Sequence, residues 1–352
     1  MVSSTLWKTI KVTAMEDNRF NSTNIDYHVH EEIKREDLLF FMDCLVNALV
    51  LVLNISLILL ILCKQKLRKQ LFYLRVLNLC FSDLIVGVIV LPFGISYMHD
   101  YAWLHGHSMC QVYVVLDITH FGFSALVITS LCLDRFLTKV LELRPERLQV
   151  IKYIQIILFI LPWLFTLCVF LPLLLSSIAM LGVVMDHICG LIIRDDMVVP
   201  TAVVAYLIPN LVMIITTVGM LILYYVKRPV WYQLPDSEEA AETNTTTMTS
   251  SRSSMIATLM VSSVTVLFWF PYLVNIFIMA TCRLGSCFPG LEVFKITLLL
   301  STLSSLFTPC LWVADDQIRL SLKEVISRVR LLCRPYIVRE QQYMEHMNED
   351  DL

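Results

Sequence analysis

The sequence predicts an all-α membrane protein, a bundle of seven transmembrane helices followed by a short amphipathic helix. The 352 residues are 57% hydrophobic and only 16% charged, which is far more apolar than a soluble domain. Lipid offers no hydrogen-bond partner to an open strand edge, and no segment alternates like a barrel strand, so the spans must be helices. Seven apolar runs, each long enough to cross a ~30 Å hydrocarbon core, cover about residues 38–63, 72–98, 110–133, 153–175, 199–226, 255–280 and 293–314.

The distribution of basic residues predicts the orientation, because short loops rich in Lys and Arg stay cytoplasmic. The loop after the first span reads "KQKLRK", whereas residues 97–109 contain no Lys or Arg. We therefore expect a multi-pass plasma-membrane protein in which residues 1–37 are an extracellular N-terminal segment and residues 38–314 form the transmembrane domain. Asn21, in "NST", is then a glycosylation acceptor.

Two further segments are expected on the cytoplasmic side. Residues 227–254 are polar and rich in Thr and Ser, which is typical of a mobile third loop. Residues 315–352 are expected to form an amphipathic helix and a tail, because apolar residues recur at helical spacing from Ile318 to Leu332, between Arg and Lys residues. Such a helix lies on membrane lipid. Cys333 is a candidate for palmitoylation, with a free buried thiol as the alternative.

Composition and motifs exclude or disfavour other classes of protein. The net charge is −3, and no Lys/Arg stripe with interleaved aromatic residues suggests nucleic-acid binding. No glycine loop suited to a phosphate and no nucleophile–base set indicates an enzyme, so we expect no catalytic activity. No pair of helix-breaking repeats indicates a transporter.

Four ionisable residues stand out among those inside or at the edge of the apolar spans. They are Asp83 in "LCFSD", Asp117 in "YVVLDITHF", and the pair Asp134 and Arg135 in "CLDRF". Each would cost about 3 kcal/mol if it faced lipid. We therefore expect all four to face the interior of the bundle, where they are the candidate functional residues.

Taken with their spacing, these residues resemble the rhodopsin-like (class A) G-protein-coupled receptors, over nearly all of the chain from residue 38 to about 333. The features that match the family, in chain order, are Asn54, Asp83, "WLHG" before Cys110, "DRF" from Asp134, Trp163, Pro209, "FWFP" at 268–271 and Pro309. The resemblance implies a receptor that activates a heterotrimeric G protein through Asp134, Arg135 and Leu143.

The resemblance also implies a ligand. Biogenic-amine receptors hold an aspartate at the position of Asp117, where it pairs with the ammonium group of the ligand. The chain is thus expected to bind a small, cationic, amine-like ligand from outside, through Asp117, Trp269, Tyr272, Thr201 and Thr302. A buried carboxylate beside aromatic rings suits a cation.

Other interpretations stay open at this point. In one interpretation, Lys295 neutralises the charge of Asp117. In another, Asp117 is protonated and only forms hydrogen bonds. For the whole chain, the alternative is an atypical or orphan receptor for a peptide or lipid ligand, with weak or absent G-protein coupling. This alternative rests on the seventh span, where "TPCLW" followed by Val313 replaces the family's "NPxxY"; Thr308 is taken as the counterpart of the asparagine and Val313 as that of the tyrosine.

The family pattern implies three more features. Cys110 pairs with Cys189, and Cys282 with Cys287, on the oxidising side of the membrane. A sodium ion is the one metal or cofactor implied, near Asp83, Ser124, Ser304 and Thr308. Arrestin is an expected partner that reads phosphorylated hydroxyls in residues 243–254, because the tail after Ser327 has no Ser or Thr.

Overall fold

The fold was determined as a computed structural model, which describes residues 25–100, 102–141, 148–175, 179–185, 188–193, 195–226, 238–281, 291–328 and 330. Seven helices in this part of the chain are long and apolar enough to span a membrane. We call them the first to the seventh span: Leu38–Cys63, Leu71–Asp100, Gly106–Thr138, Lys152–Val169, Met197–Tyr225, Arg252–Ile278 and Ile296–Ala314. The predicted all-α, seven-helix fold class is confirmed.

The helices that contain these spans extend beyond them at several ends. Their bounds, with the shorter elements between them, are Ile25–Cys63, Gln65–Arg68, Leu71–Ile85, a π-helical turn at Val86–Val90, Leu91–Asp100, Gly106–Leu141, Leu148–Leu175, Asp195–Ala202, a second π-helical turn at Val203–Leu207, Ile208–Val226, Glu238–Thr281, Leu291–Leu311, a 3₁₀ turn at Trp312–Ala314, and a last helix over residues 316–328.

Two prolines account for the π-helical turns in the second and fifth spans. Pro92 and Pro209 each lack an N–H group, and each ring clashes with the carbonyl group four residues earlier in a regular helix. The turns Val86–Val90 and Val203–Leu207 lie at those carbonyl groups and widen the helix there. The wider turn in the second span leaves Val86 buried inside the bundle.

Two helices begin earlier than the sequence predicts. The first starts at Ile25, inside the predicted N-terminal segment, and the sixth starts at Glu238, so that the second half of the predicted loop 227–254 is helical. The sixth helix can start this early because "EEAAE" at 238–242 consists of good helix formers with acidic groups at the positive end of the helix dipole. No Gly or Pro follows before Pro271.

A β-hairpin lies between the fourth and fifth spans. Its strands, β1 (Ala179–Met185) and β2 (Ile188–Ile193), are antiparallel, with Val183 opposite Cys189. The hairpin packs against the third helix, and the disulfide bond between Cys110 and Cys189 joins them. This pairing confirms the bridge implied by the family pattern. We call this side of the bundle the Cys110 end and the opposite side the Arg135 end.

The connection between the second and third spans is a tight turn built on Trp103. The Trp103 indole Nε1 donates a hydrogen bond to the Gly106 carbonyl oxygen at 2.7 Å, and its ring packs against Phe93 and Tyr113. Gly106 has a φ angle of +78°, which side-chain-bearing residues rarely adopt. The turn therefore explains both the tryptophan and the glycine of "WLHG".

The last helix is anchored at its first turn and along one face. The Asp315 Oδ1 atom accepts hydrogen bonds from the backbone N–H groups of Gln317 and Ile318, so Asp315 caps the helix. Ile318 is buried, whereas Leu320 is exposed. Lys64, between the first and second spans, forms an ion pair with Glu324 at 2.7 Å. The amphipathic character predicted from the sequence is present here.

Several predicted features lie outside the described residues. They are Asn21, Leu143, Cys282, Cys287 and Cys333, together with the side chain of Lys295. These remain predictions.

Candidate functional site

An open cavity lies among the first, second, third and seventh spans. The third span contributes Tyr113, Asp117, His120 and Phe121 to its wall. Asp117 is half-buried, one turn of helix from the deeper His120. The cavity therefore brings the intramembrane carboxylate of Asp117 to an accessible surface.

Aliphatic side chains form most of the remaining wall. The first span contributes Leu39 and Val46, the seventh Leu298 and Leu299, and the second a row along its length. The residues of that row are Val86, Val90, Leu91, Gly94, Ile95 and Met98. Fewer of the lining residues are polar. Asp43 on the first span and His99 on the second lie toward the Cys110 end, and the seventh span contributes Ser301, Thr302 and Ser305.

The predicted ligand-binding residues divide between the cavity and its surroundings. Asp117 and Thr302 line the cavity, whereas Trp269, Tyr272 and Thr201 are not among its lining residues. Trp269 and Tyr272 lie behind Phe121, whose ring is 5.1 Å from the Trp269 ring and stacks on the Tyr272 ring at 4.8 Å. Thr201 is half-buried on the fifth helix.

An aromatic cluster fills the bundle between the third, fifth and sixth spans. Its members are Phe121, Tyr206, Trp269 and Tyr272, all buried. Tyr206 and Phe121 have ring centroids 6.4 Å apart. Phe121 lies one helical turn along the third span from Asp117. The carboxylate thus stands between an open aliphatic cavity on one side and a packed aromatic cluster on the other.

The residues predicted to hold sodium surround a histidine. His120 places its Nδ1 atom 3.4 Å from the Ser124 hydroxyl and its Nε2 atom 3.9 Å from Asp83 Oδ1. Ser305 donates a hydrogen bond to the same Asp83 oxygen at 2.7 Å, while Asp83 Oδ2 is buried with no hydrogen-bond partner among the described residues. The imidazole ring occupies the space between Ser124 and Asp83 that a bridging cation would need. With the ring in this position, these residues do not fit a sodium ion.

The other two predicted sodium ligands are engaged elsewhere. The Trp269 indole Nε1 donates a hydrogen bond to the Ser304 hydroxyl at 2.7 Å. The Thr308 hydroxyl donates to the Ser304 carbonyl oxygen at 2.7 Å. The Ser304 hydroxyl therefore joins the seventh span to the sixth, whereas the Thr308 hydroxyl is engaged within its own helix.

A second polar cluster lies at the Arg135 end. The Arg135 guanidinium is 3.0 Å from Asp134, donates a hydrogen bond to the Ser254 hydroxyl at 3.2 Å, and lies 3.7 Å from the centroid of the Phe72 ring. These contacts connect the third span to the sixth and the second. Arg75 also approaches Asp134, at 3.0 Å, and both side chains are only 1% exposed. Asp134 thus lies between two arginines.

Sequence reasoning missed His120 and Arg75. Both were visible in principle as ionisable residues within apolar runs, which is the same signal that identified Asp83 and Asp117. Their partners were not visible, because the contacts cross from the second to the third span.

One detail of the predicted seventh-span motif is wrong. Val313 is 37% exposed and faces away from the core, whereas Trp312, the fifth residue of "TPCLW", is completely buried. The Trp312 ring packs edge-on against Phe72 at 5.8 Å. Trp312 therefore takes the tyrosine position of the motif, and its ring abuts the aromatic side chain that contacts Arg135.

Comparison with known proteins decides the family. A family model described as "7 transmembrane receptor (rhodopsin family)" matches residues 53–312. This chain belongs to the rhodopsin family of seven-transmembrane receptors. The matched range includes Asp117, Arg135 and the aromatic cluster, so the cavity and the cluster at the Arg135 end are parts of the receptor fold itself.

Individual relatives match this receptor over shorter segments. The histamine H1 receptor of Cavia porcellus is 35% identical over 63 residues, which is 18% of this chain and 13% of that receptor. Octopamine receptor 1 of Lymnaea stagnalis is 35% identical over 94 residues, 27% of this chain and 15% of the relative. The 5-hydroxytryptamine receptor 1E of Cavia porcellus is 30% identical over 105 residues, 29% of this chain and 28% of the relative. The matched segments thus cover less than a third of each of these relatives.

Proposed function

We propose that this receptor binds a small amine from outside the cell and activates a heterotrimeric G protein. The observation that carries the proposal is Asp117, a carboxylate within a membrane span that lines a cavity next to a cluster of aromatic rings. An ammonium group pairs with such a carboxylate and is also attracted by ring faces. Relatives named for histamine, octopamine and 5-hydroxytryptamine support the same class of ligand.

The orientation in the membrane is part of the proposal. The basic loop "KQKLRK" lies at the Arg135 end, which is therefore cytoplasmic, and the disulfide bond at the Cys110 end lies on the oxidising side. The G protein then approaches Arg135 and its partners. Arrestin approaches the hydroxyl-rich residues 243–254, which belong to the helix Glu238–Thr281. Replacing the Ser and Thr residues there with Ala and measuring arrestin recruitment tests the second contact.

A second candidate is an atypical receptor with a peptide ligand and weak G-protein coupling. It is favoured by the three contacts that hold Arg135, and by the replacement of the family's seventh-span tyrosine by the buried Trp312. Prokineticin receptor 2 of Bos taurus, 31% identical over 85 residues, is a relative named for a different class of ligand. The amine proposal is preferred because Asp117 gives it a specific chemical basis.

A ligand screen on paired variants distinguishes the two candidates. Wild type, Asp117→Asn and Asp117→Ala would be exposed to a panel of amines and a panel of peptides, with G-protein activation and arrestin recruitment read in parallel. We expect an amine to activate wild type and to lose at least about 100-fold in potency on Asp117→Asn, because a charge-assisted pair inside the membrane is removed. Equal surface levels of the three proteins are the control. An amine response that Asp117→Asn retains, or a response to peptides alone, would overturn the proposal.

A further inference from the structure

The open space beside Asp117 lies on one side of the third span. The described residues that line the cavity come from the first, second, third and seventh spans, and none comes from the fifth or sixth. On the other side of Phe121, the rings of Tyr206, Trp269 and Tyr272 are packed together and buried. A ligand that pairs with Asp117 must therefore extend its body toward the first, second and seventh spans.

Apart from Phe40, the apolar side chains that the first, second and seventh spans contribute to this wall are aliphatic. Val46, Val90, Leu91, Ile95 and Leu298 are on the cavity surface. Removing apolar surface from water favours binding in proportion to the area covered, with no need for directional partners. The second span lines the cavity from Val86 to His99, a rise of about 20 Å along a helix. The wall can therefore accommodate an extended apolar body.

The hydroxyl groups that the seventh span contributes to the wall donate their protons within the protein. Thr302 donates its proton to the Leu299 carbonyl oxygen and Ser301 to that of Leu298, each at 2.7 Å. Ser305 donates to Asp83, also at 2.7 Å. A polar ring lying on this stretch of wall would be desolvated against aliphatic side chains while these donors stay engaged, and leaving a buried polar group unpaired weakens binding.

We propose that the ligand is an amine with a saturated aliphatic body, whose ammonium group pairs with Asp117 and whose body lies against the first, second and seventh spans. This inference rests on the proposed function, because it requires Asp117 to bind an ammonium group. It goes further in naming the chemistry of the rest of the ligand and the side of the third span on which it lies.

A matched pair of probes tests the ligand class. The amines 2-cyclohexylethylamine and tyramine share a two-carbon linker, and they differ in the ring, which is saturated and apolar in one and aromatic with a hydroxyl group in the other. Each would be titrated against the purified full chain in lipid nanodiscs, with thermal stabilisation giving an apparent Kd. We expect the Kd of 2-cyclohexylethylamine to be lower by at least about tenfold, because its ring leaves no polar group unpaired. A tighter complex with tyramine would overturn the inference.

A pair of glycine substitutions tests the position of the body. A Cβ atom on Gly94 would lie 3.4 Å from the Tyr113 hydroxyl, so Gly94→Val narrows the cavity without a severe clash. A Cβ atom on Gly219 would meet nothing within 4 Å, which makes Gly219→Val the matched control. We expect Gly94→Val to weaken binding of 2-cyclohexylethylamine about tenfold or more, and Gly219→Val to leave it unchanged. Unchanged binding by a folded Gly94→Val protein would overturn the inference.

Asp117→Asn separates failure of the inference from failure of the proposed function. If tyramine binds tightly, depends on Asp117 and is indifferent to Gly94→Val, the receptor is an amine receptor but the aliphatic inference is wrong. If both amines bind Asp117→Asn as well as wild type, or neither stabilises wild type, the proposed function itself fails. If Gly94→Val does not fold, the comparison of the two probes on wild type still decides the ligand class.

Discussion

Among single residues, His120 shows the most consequential departure from the family pattern. Its imidazole ring lies between the Ser124 hydroxyl and the Asp83 carboxylate, and it also reaches the Ser82 hydroxyl at 3.0 Å. The three polar groups that face the ring come from the second and third spans. A side chain of the protein thus takes the central position in a cluster where the family pattern implies a cation.

This position predicts how the receptor responds to sodium. We expect the melting temperature of the wild-type protein to be the same in sodium chloride and in potassium chloride of equal ionic strength, because the imidazole ring excludes the ion. His120→Ser should gain stability in sodium specifically, since the smaller side chain frees the Asp83 and Ser124 oxygens. Asp83→Asn in the His120→Ser background is the control and should lose that gain. A sodium effect on wild type equal to that on His120→Ser would contradict the expectation.

At the scale of the element, the last helix and the β-hairpin each have an anchor that contacts a distant part of the chain. Asp315 caps the last helix and accepts a hydrogen bond from the Tyr73 hydroxyl at 3.0 Å. Cys189 attaches the hairpin to the third helix through a bond to Cys110, which is 79 residues away in the chain. Both anchors join elements that are distant in sequence.

The cap of the last helix predicts a dependence on pH. Burial raises the pKa of the Asp315 carboxyl group above its ordinary value of 3.8, although its hydrogen bonds act in the opposite direction. The folded state therefore binds the proton more tightly than the unfolded state, so the contribution of Asp315 to stability falls as pH rises from about 3.8 through the raised folded pKa. We expect Asp315→Asn, which keeps a good cap, to gain stability relative to wild type as pH rises through this window. Thermal melts at a series of pH values measure the difference.

A second substitution at the same position isolates the cap itself. Asp315→Ala removes the acceptor for the N–H groups of Gln317 and Ile318, which costs about 0.5–2 kcal/mol at a helix N-terminus. We therefore expect Asp315→Ala to melt below both Asp315→Asn and wild type near neutral pH. Equal melting of Asp315→Asn and Asp315→Ala would show that the cap contributes nothing.

The hairpin bond predicts equal defects from its two cysteines. Cys110→Ser and Cys189→Ser should each reduce stability and surface delivery, by about 2–5 kcal/mol in stability, and the double variant should be no worse because each change removes the same bond. Cys168→Ser, at an exposed free thiol in the fourth span, is the matched control and should behave like wild type. Additive losses in the double variant would mean that the two thiols act separately.

At the scale of the whole molecule, polar contacts join several of the spans at the Arg135 end and in the middle of the bundle. The Asn54 amide donates a hydrogen bond to the Ser305 carbonyl oxygen at 3.1 Å, which joins the first span to the seventh. Arg135 joins the third span to the second and sixth, and the Ser253 hydroxyl accepts a hydrogen bond from the Asp316 backbone at 3.1 Å. Movement of the sixth span away from the bundle would have to break the contacts of Arg135 and Ser253.

The cation–π contact of Arg135 predicts a change in basal signalling. The Phe72 ring attracts the guanidinium by about 0.5–2 kcal/mol. If the arrangement described here is the inactive one, Phe72→Leu should raise ligand-independent G-protein activation by about two- to thirtyfold, because the population of active receptors rises by the lost free energy. Phe81→Leu, at a side chain of the same span that is 52% exposed, is the matched control. A lower basal signal in Phe72→Leu at equal surface level would contradict this assignment.

The sequence by itself determined the number of spans, the family pattern and the candidate residues at each end. It did so because apolar runs of spanning length have few alternatives in lipid, and because an ionisable residue within such a run must face the interior. Asp117, Asp134 and Arg135 were identified because they are ionisable residues within or beside apolar runs. The fold class follows from the runs themselves. The bridge between Cys110 and Cys189 followed from the family pattern alone.

Only the tertiary structure decided which residues meet inside the bundle. That Asp117 faces an aliphatic cavity, that His120 lies between Ser124 and Asp83, and that Arg75 approaches Asp134 all depend on how neighbouring helices are rotated and shifted along their axes. Apolar patterning in a membrane specifies a span without specifying its rotation, because lipid and protein interior are both apolar. The rotation is set by packing and by hydrogen bonds between helices, such as those from Trp269 to Ser304 and from Ser305 to Asp83, which a single chain read in order does not reveal.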